Sequence, residues 1–264
     1  MCVEAAPKSG CQNSSCGCGG HGRQKPPPDP RVILTMTFDG AAAPQCQCSG
    51  RTCPRHYLAL AGLGLAGFLG LHLAVNLLAL WPATFQAVVS RSHALGLALP
   101  VLEISIIFLP LAVHVGLGLR TLAREGLKFG VEKHHHGSDL RQWLQRATAL
   151  VLLAFVLFHV VTLHRWFGGR FDPPNAFHSA SQAIWQFWRG LPAGHPGNLV
   201  FAQFYLLGLA AAVYHLTNGV ATGAAVLGLT PTLAAERRLG RLCLLAAPLL
   251  LLAGMVAWFA FAAR

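Results

Sequence analysis

Four histidines lie deep within long apolar stretches of the sequence, where an ionisable side chain is expensive and needs a partner. They are His72, His114, His159 and His215. Imidazole is the commonest metal ligand among side chains, and it can also carry protons or hydrogen-bond to a neighbouring helix. The chemistry open to these residues therefore depends on how the surrounding segments bring them together.

Five apolar segments follow residue 54, each close to the ~20 residues needed to cross ~30 Å of hydrocarbon. They cover about 57–81, 98–120, 143–165, 199–226 and 241–262. Each of the first four holds one deep histidine, and the fifth holds none. The predicted fold class is all-α, an integral membrane bundle of five transmembrane helices. Pro110 and Pro248 are expected to kink the second and fifth helices, which a bundle tolerates.

The overall composition agrees with a membrane protein. Of the 264 residues, 54% are hydrophobic and 11% are charged, which is too apolar for an ordinary soluble domain of this size. The net charge is +11, but Lys and Arg gather beside the apolar segments instead of forming one basic face with interleaved aromatics. The lipid bilayer, and not nucleic acid, is the expected partner.

The distribution of Lys and Arg predicts the orientation. Fifteen of them lie before the first segment, or in the loops after the second and fourth segments together with the segment ends beside those loops, against five on the other side. Cytoplasmic segments carry the positive excess, so the N-terminus is predicted to be cytoplasmic. Five spans place the C-terminus on the outer side.

With that orientation, position along each segment converts into depth. His72 and His159 lie 15 and 16 residues from the cytoplasmic ends of their segments, roughly 22 to 24 Å at 1.5 Å per residue. His114 and His215 each lie 16 residues from the outer end, which leaves them roughly 6 Å from the inner face. The sequence therefore predicts two pairs, His72 with His159 and His114 with His215, roughly 16 Å apart along the membrane normal.

Two haems fit this pattern, each a b-type haem whose two axial positions are filled by imidazoles, and the expected task is electron transfer. No CxxCH motif occurs, so covalent attachment is not indicated. Two alternatives stay open. In a non-redox channel, transporter or assembly protein the histidines would only hydrogen-bond between helices. A proton relay usually includes buried carboxylates, and Glu103 is the one deep carboxylate in the sequence.

The segments around the histidines carry a family likeness. The stretches are GLHLAVN at 70–76, LEISIIFLPLAVH at 102–114, LQRATALVLLAFVLFH at 144–159 and FYLLGLAAAVYHLTNG at 204–219. In order and spacing, over about 54–262, the chain resembles the five-helix di-haem cytochrome b membrane-anchor subunit of succinate:quinone oxidoreductase (succinate dehydrogenase, respiratory complex II) of Gram-positive and related bacteria. Fumarate reductase anchors are more distant relatives.

The resemblance implies roles for the four histidines and for partner proteins. His114 and His215 match the axial ligands of the proximal haem, and His72 and His159 match those of the distal haem. A flavoprotein subunit would oxidise succinate, an iron-sulfur subunit would relay the electrons, and this membrane subunit of the enzyme would pass them to a membrane quinone, with menaquinone favoured. The expected location is the bacterial inner (cytoplasmic) membrane. A cytochrome b anchor of another quinone-linked dehydrogenase or of a hydrogenase is the alternative within the same chemistry.

In the family, the quinone reacts near the distal haem, toward the outer face. The candidate residues there are Gln86, Arg91, His93, Glu103 and His164. Some fumarate reductase relatives carry one carboxylate in the first outer loop and another two residues before the fourth-helix histidine. This chain has no acidic residue between 40 and 102 and has Val213 at the second position, which favours the succinate-oxidising branch.

Basic residues at helix ends are candidates for binding haem propionates. Arg55 and Arg146 lie at the inner level and Arg165 at the outer level. Snorkelling and the positive-inside rule also place arginines at helix ends, so the functional and structural interpretations stay open for each. Asn218 and Gly219, just after His215, are expected to support close packing or hydrogen bonding near the inner haem.

The remaining polar parts divide the chain into two regions. Residues 1–54 form a Cys-, Pro- and Gly-rich cytoplasmic extension that we expect to be disordered, and 55–264 form the cytochrome b domain. Thiolates in the extension are candidates for zinc or iron-sulfur binding, although their spacing does not match common C-x2-C pairs. The histidines at 134–136 are expected to be solvated or to contact the iron-sulfur partner. The cysteines of the extension are Cys2, Cys11, Cys16, Cys18, Cys46, Cys48 and Cys53; Cys243 stands apart in the fifth segment.

Overall fold

The structure is a computed structural model that describes residues 54–126, 136–167, 169, 171–185 and 196–263. This part of the chain is helical and has no strand, which confirms the all-α prediction. The extension at 1–53, with seven of the cysteines, lies outside the described residues, as do His134 and His135. The helices are α1 (Pro54–Leu77), α2 (Pro82–His93), α3 (Ala98–Glu103), α4 (Leu109–Glu125), α5 (His136–Leu163), α6 (Ala176–Trp185), α7 (Pro196–Val226) and α8 (Leu233–Ala262).

Five helical stretches are long and apolar enough to cross a membrane, as predicted. They are Pro54–Leu80, Ala98–Arg124, Leu140–Leu163, Val200–Val226 and Leu233–Ala262. Large apolar side chains on these stretches point away from the bundle: Leu71, Leu249 and Phe259 are 66%, 67% and 65% exposed. An outward apolar surface on helices of this length suits contact with lipid.

The helix ends differ from the sequence prediction. Helices α5 and α8 begin about two turns earlier than their apolar segments. Their first turns contain Arg, Gln and Glu, which lower the hydropathy but have good helix propensity. The start of α8 is fixed by Thr232, whose side-chain oxygen accepts a hydrogen bond of 3.1 Å from the Ala235 amide. Helix α4 ends at Glu125, and the next residue, Gly126, has a φ of +69°.

The second spanning stretch changes helix type near Pro110. A π-helical turn, Ile104–Phe108, separates α3 from α4. Proline lacks the amide that would bond to the carbonyl of Ile106, and its ring crowds that oxygen. A widened turn relieves the crowding, and such turns often lie at functional sites. Pro248, in contrast, lies inside α8, which continues through it.

Small residues allow the helices to approach one another. Helix α1 packs against α4, α7 and α8, and α7 also packs against α5 and α8. A Cβ on Gly208 of α7 would overlap the ring of Phe155 on α5, and a Cβ on Gly254 of α8 would overlap Leu209 on α7. Within the described residues, α1 and α5 do not pack closely, nor do α4 and α7. These two pairs of helices therefore face each other across the bundle.

The short helices α2 and α6 close the end of the bundle at which α1 and α5 finish. A buried cluster holds this cap together and includes Phe85, Ile184 and Phe261. The Gln86 side-chain amide donates to the Pro173 carbonyl at 2.6 Å. The Ser181 hydroxyl donates to the Phe261 carbonyl at 2.6 Å, which satisfies an acceptor at the end of α8.

Candidate functional site

The structure brings His114 of α4 and His215 of α7 together across the bundle. Their ring centres lie 6.1 Å apart, and the ring planes are inclined by 89°. Since α4 and α7 do not pack closely along their backbones, the two imidazoles reach toward each other across the space between these helices. We call them the first pair.

His72 of α1 and His159 of α5 form a second pair with the same geometry. Their ring centres lie 5.9 Å apart, with the planes inclined by 86°. A phenylalanine one turn earlier packs on each ring: Phe68 lies 5.6 Å from His72 and Phe155 lies 5.6 Å from His159. The pairing that depth predicts is thus the pairing that the structure shows.

Contacts along two helices give the spacing of the pairs. On α1, Gly62 lies against the ring of His114, and His72 follows ten residues later. On α7, Tyr205 lies against the second pair, and His215 follows ten residues later. Both helices place the pairs about 15 Å apart at 1.5 Å per residue, close to the spacing expected from the sequence.

Backbone carbonyls orient the rings of the first pair. His114 Nδ1 lies 3.1 Å from the Leu58 carbonyl oxygen, and His215 Nδ1 lies 3.2 Å from the Gln145 carbonyl oxygen. A carbonyl can only accept, so Nδ1 carries the proton and Nε2 keeps its lone pair in the neutral ring. Histidine that ligates a metal is held in this way, with Nδ1 donating to an oxygen and Nε2 turned to the metal.

A polar chain between α5 and α7 extends this support. The Arg141 Nε–H donates to Asn218 Oδ1, and the Asn218 amide donates to Gln145 Oε1 at 2.7 Å. The Gln145 amide donates to the His215 carbonyl at 3.2 Å. Of these residues, the sequence predicts a supporting role only for Asn218. The available signal was the spacing of Arg141 and Gln145 four residues apart, which places both on one face of α5.

The separation of the ring centres in both pairs agrees with two imidazoles that share one iron. Two metal–imidazole bonds of about 2 Å on opposite sides of an iron, plus half the width of each ring, put the ring centres about 6 Å apart. The measured 6.1 and 5.9 Å match this value. In the second pair, His159 Nδ1 is buried and has no hydrogen-bond partner among the described residues. A buried polar atom without a partner is costly, and a metal bound at Nε2 would not satisfy this Nδ1. Among the described residues, His159 therefore lacks the carbonyl support that both rings of the first pair have.

Each pair offers two side-chain ligands to a metal. Within the described ranges, no three or more His, Cys, Asp or Glu side chains are placed to hold a metal ion. A structural zinc site uses four protein ligands. Two imidazoles suit an iron whose other four ligands come from a porphyrin.

Comparison with protein-family models, curated proteins and solved structures finds no match. The site is therefore characterised by its own geometry and chemistry.

Of the residues predicted for the quinone region, Glu103 and His164 come together. His164 Nε2 lies 3.4 Å from Glu103 Oε2, and both side chains are about one quarter exposed. The Trp166 amide donates to His164 Nδ1 at 3.4 Å, so the ring proton lies on Nε2 and faces the carboxylate. Phe108 and Trp166 lie 5.3 and 4.9 Å from the imidazole, measured between ring centres. A carboxylate–imidazole pair thus lies beside two aromatic rings, directly next to the π-helical turn.

The other residues predicted for that region belong to the cap. Gln86 is held by Pro173 and by the Phe177 amide, which donates to its side-chain oxygen at 3.4 Å. His93 Nδ1 donates to the Val89 carbonyl of its own helix at 2.9 Å. Arg91 is exposed. Their contacts in this structure are those of the α2–α6 cap.

The arginines predicted as propionate ligands also take separate positions. Arg55 is exposed in the first turn of α1, and Arg165 is exposed in a 3-10 turn after α5. Arg146 donates to the Gly126 carbonyl at 2.7 Å, which ties α5 to the end of α4. Gly219 lies where an added Cβ would be 3.5 Å from the Gln145 amide nitrogen, consistent with close packing beside the first pair.

Proposed function

We propose that this chain is a cytochrome b membrane subunit that carries electrons through two b-type haems. One haem would bind between His114 and His215 and the other between His72 and His159. The observation that carries the proposal is the presence of two imidazole pairs with matching ring separations, stacked about 15 Å apart along the helices. That spacing is about half the thickness of a hydrocarbon core of ~30 Å, so two haems would divide electron transfer across the membrane into two shorter steps.

The surrounding residues hold the imidazoles ready for ligation. The Leu58 and Gln145 carbonyls accept the Nδ1 protons of the first pair and leave Nε2 as the ligating atom. Phe68 and Phe155 pack on the rings of the second pair. A haem held by these histidine pairs would supply one-electron redox chemistry.

The substrate and partners follow from the resemblance to succinate dehydrogenase anchors. In this proposal an iron-sulfur subunit, itself reduced by a succinate-oxidising flavoprotein, docks on the cytoplasmic side where the N-terminus lies. Electrons would pass from the haem held by the first pair to the haem held by the second pair, and then to a quinone in the bacterial inner membrane, with menaquinone favoured. The excess of Lys and Arg on the N-terminal side supports this orientation.

The reacting quinone would lie at the end of the bundle that holds Glu103 and His164. Reduction of a quinone to a quinol consumes two electrons and two protons, so a proton donor must lie near the outer haem. The carboxylate–imidazole pair lies about 7 Å beyond His159 along α5. Its neighbours Phe108 and Trp166 offer flat apolar surfaces to a ring-shaped substrate.

One feature favours a second, non-redox function. The rings within each pair already contact each other at right angles, and contacts of this kind stabilise packing without a cofactor. In that case the chain would be a transport or assembly protein with structural histidines. An anchor for another quinone-linked dehydrogenase would keep the haems and change only the soluble partners.

The proposal is tested by purifying the full chain from membranes in mild detergent and measuring haem by extraction and by absorbance. The expected result is a low-spin b-type spectrum with two haems per chain. His215→Ala and His72→Ala should each remove one haem. A folded chain that contains no haem would refute the proposal, and the soluble subunits that co-purify would distinguish succinate dehydrogenase from other dehydrogenases.

A further inference from the structure

Arg141 lies on the face of a spanning helix that is turned toward the interior of the bundle, and it carries a positive charge. It lies in the second turn of α5 and is half-buried. Its Nε–H donates to Asn218 on α7, so the side chain turns toward the neighbouring helix. Arg141 is the second residue of the spanning stretch Leu140–Leu163, where an arginine can snorkel to water, yet its Nε–H turns to Asn218 of the neighbouring helix.

The hydrogen-bond chain links Arg141 to the first histidine pair. Asn218 joins Arg141 to Gln145, and Gln145 contacts His215 twice, through its amide and through its carbonyl oxygen. Asn218 lies three residues after His215 on α7, which places the guanidinium about one turn beyond the imidazole. The offset is toward the end at which α5 begins, where the nearest polar surface lies.

A haem bound by the first pair would carry two propionate carboxylates, and because a carboxylate is costly in hydrocarbon they would favour the nearer polar surface. That direction leads past Asn218 to Arg141. Guanidinium has five N–H donors in a planar fork, which matches the geometry of a carboxylate. Of the arginines favoured by sequence position, Arg55 is exposed and Arg146 donates to the Gly126 carbonyl at the end of α4. Arg141, in contrast, is bonded to Asn218 in the hydrogen-bond chain that reaches His215.

We propose that Arg141 binds a propionate of the haem held by His114 and His215, and that Asn218 and Gln145 hold the guanidinium in place for it. This inference rests on the proposed function. The positive charge would also stabilise the neighbouring site against loss of an electron, so the midpoint potential of that haem is higher with Arg141 than without it.

The experiment uses the full chain in detergent and two probes, haem and haem dimethyl ester, in which the propionates are esterified and uncharged. Wild-type chain should bind haem about tenfold or more tightly than the ester at one of its two sites, as expected for a charge-assisted hydrogen bond. Arg141→Gln should lose this preference and lower one of the two haem potentials measured by spectroscopic redox titration. Arg141→Lys should keep the potential, because it keeps the charge, and should lose part of the preference.

Arg238→Gln is the matched control, because Arg238 is an exposed arginine at the same end of the bundle. It should leave both the ester preference and the two potentials at their wild-type values. If Arg141→Gln keeps the preference and both potentials, Arg141 only ties α5 to α7 and the inference is wrong. A wild-type chain that binds neither probe would overturn the proposed function as well. Two bound haems without an effect of Arg141 would overturn the inference alone.

Discussion

At the scale of single residues, the His114 ring can pack against α1 because Gly62 has no side chain there. A Cβ on Gly62 would lie 2.8 Å from His114 Cε1, whereas a Cβ on Gly64 would meet no atom within 4 Å. We expect Gly62→Val to displace the ring and to remove the haem of the first pair, while Gly64→Val keeps both haems. Haem extraction from the two purified variants checks this. Equal haem content in both would show that the ring tolerates the added side chain.

A second prediction at the residue scale concerns proton transfer by Glu103 and His164 at the other end of the bundle. Glu103→Gln removes the proton-carrying group opposite His164 Nε2. General acid–base catalysis contributes about 10²-fold or more, so the oxidation of reduced haem by added quinone should slow by about that factor. Haem content and spectra should not change. Ser105→Ala is the control, an exposed neighbour on the same stretch. An unchanged quinone rate in Glu103→Gln would exclude the pair from proton transfer.

At the scale of helices, the number and order of the spanning elements follow from the sequence, but their ends do not. Apolar length is enough to identify a span. The ends depend on single residues, whose effect is lost when hydropathy is averaged over a window. The polar first turn of α8 is helical because Thr232 caps it. Helix α4 ends where Gly126 adopts positive φ. The cap was missed for a related reason. Helices α2 and α6 acquire their stability from packing on Phe261 of α8, which no short window contains.

The close approach of α5 and α7 gives a prediction at this scale. Gly208→Ala places a Cβ within the volume of the Phe155 ring, so the ring or the helix must move. Overpacking of this kind costs about 1–3 kcal/mol, which outweighs the gain of about 1 kcal/mol in helix propensity of Ala over Gly. Gly67→Ala meets no atom within 4 Å and should be neutral or stabilising. Thermal unfolding in one detergent, followed by circular dichroism, compares the two. A more stable Gly208→Ala variant would contradict the packing.

At the scale of the whole molecule, depth predicts which histidines meet, because helical rise per residue is constant and the spans alternate in direction. His72 meets His159 and His114 meets His215 for this reason. Depth says nothing about the rotation of each helix. The sequence therefore did not reveal that Arg141 faces Asn218, nor that Gln86 turns to Pro173 instead of toward a substrate. The direction in which each of these side chains points is determined by lateral packing between helices that are distant in sequence.

The orientation of the bundle decides which of the two proposed haems would take electrons from the proposed soluble partners, and this orientation has its own test. In a variant without the eight native cysteines, Ser92→Cys and Leu229→Cys place single thiols at exposed positions separated by three spanning stretches. Because three crossings separate them, the two thiols must lie on opposite sides of the membrane. With the N-terminus cytoplasmic, a membrane-impermeant maleimide should label Ser92→Cys in intact cells and label Leu229→Cys only after permeabilisation. The reverse result would keep the five-span fold, but the Glu103–His164 end would then face the cytoplasm and the proposed direction of electron flow would be wrong. Labelling of both thiols in intact cells would contradict the five-span topology itself.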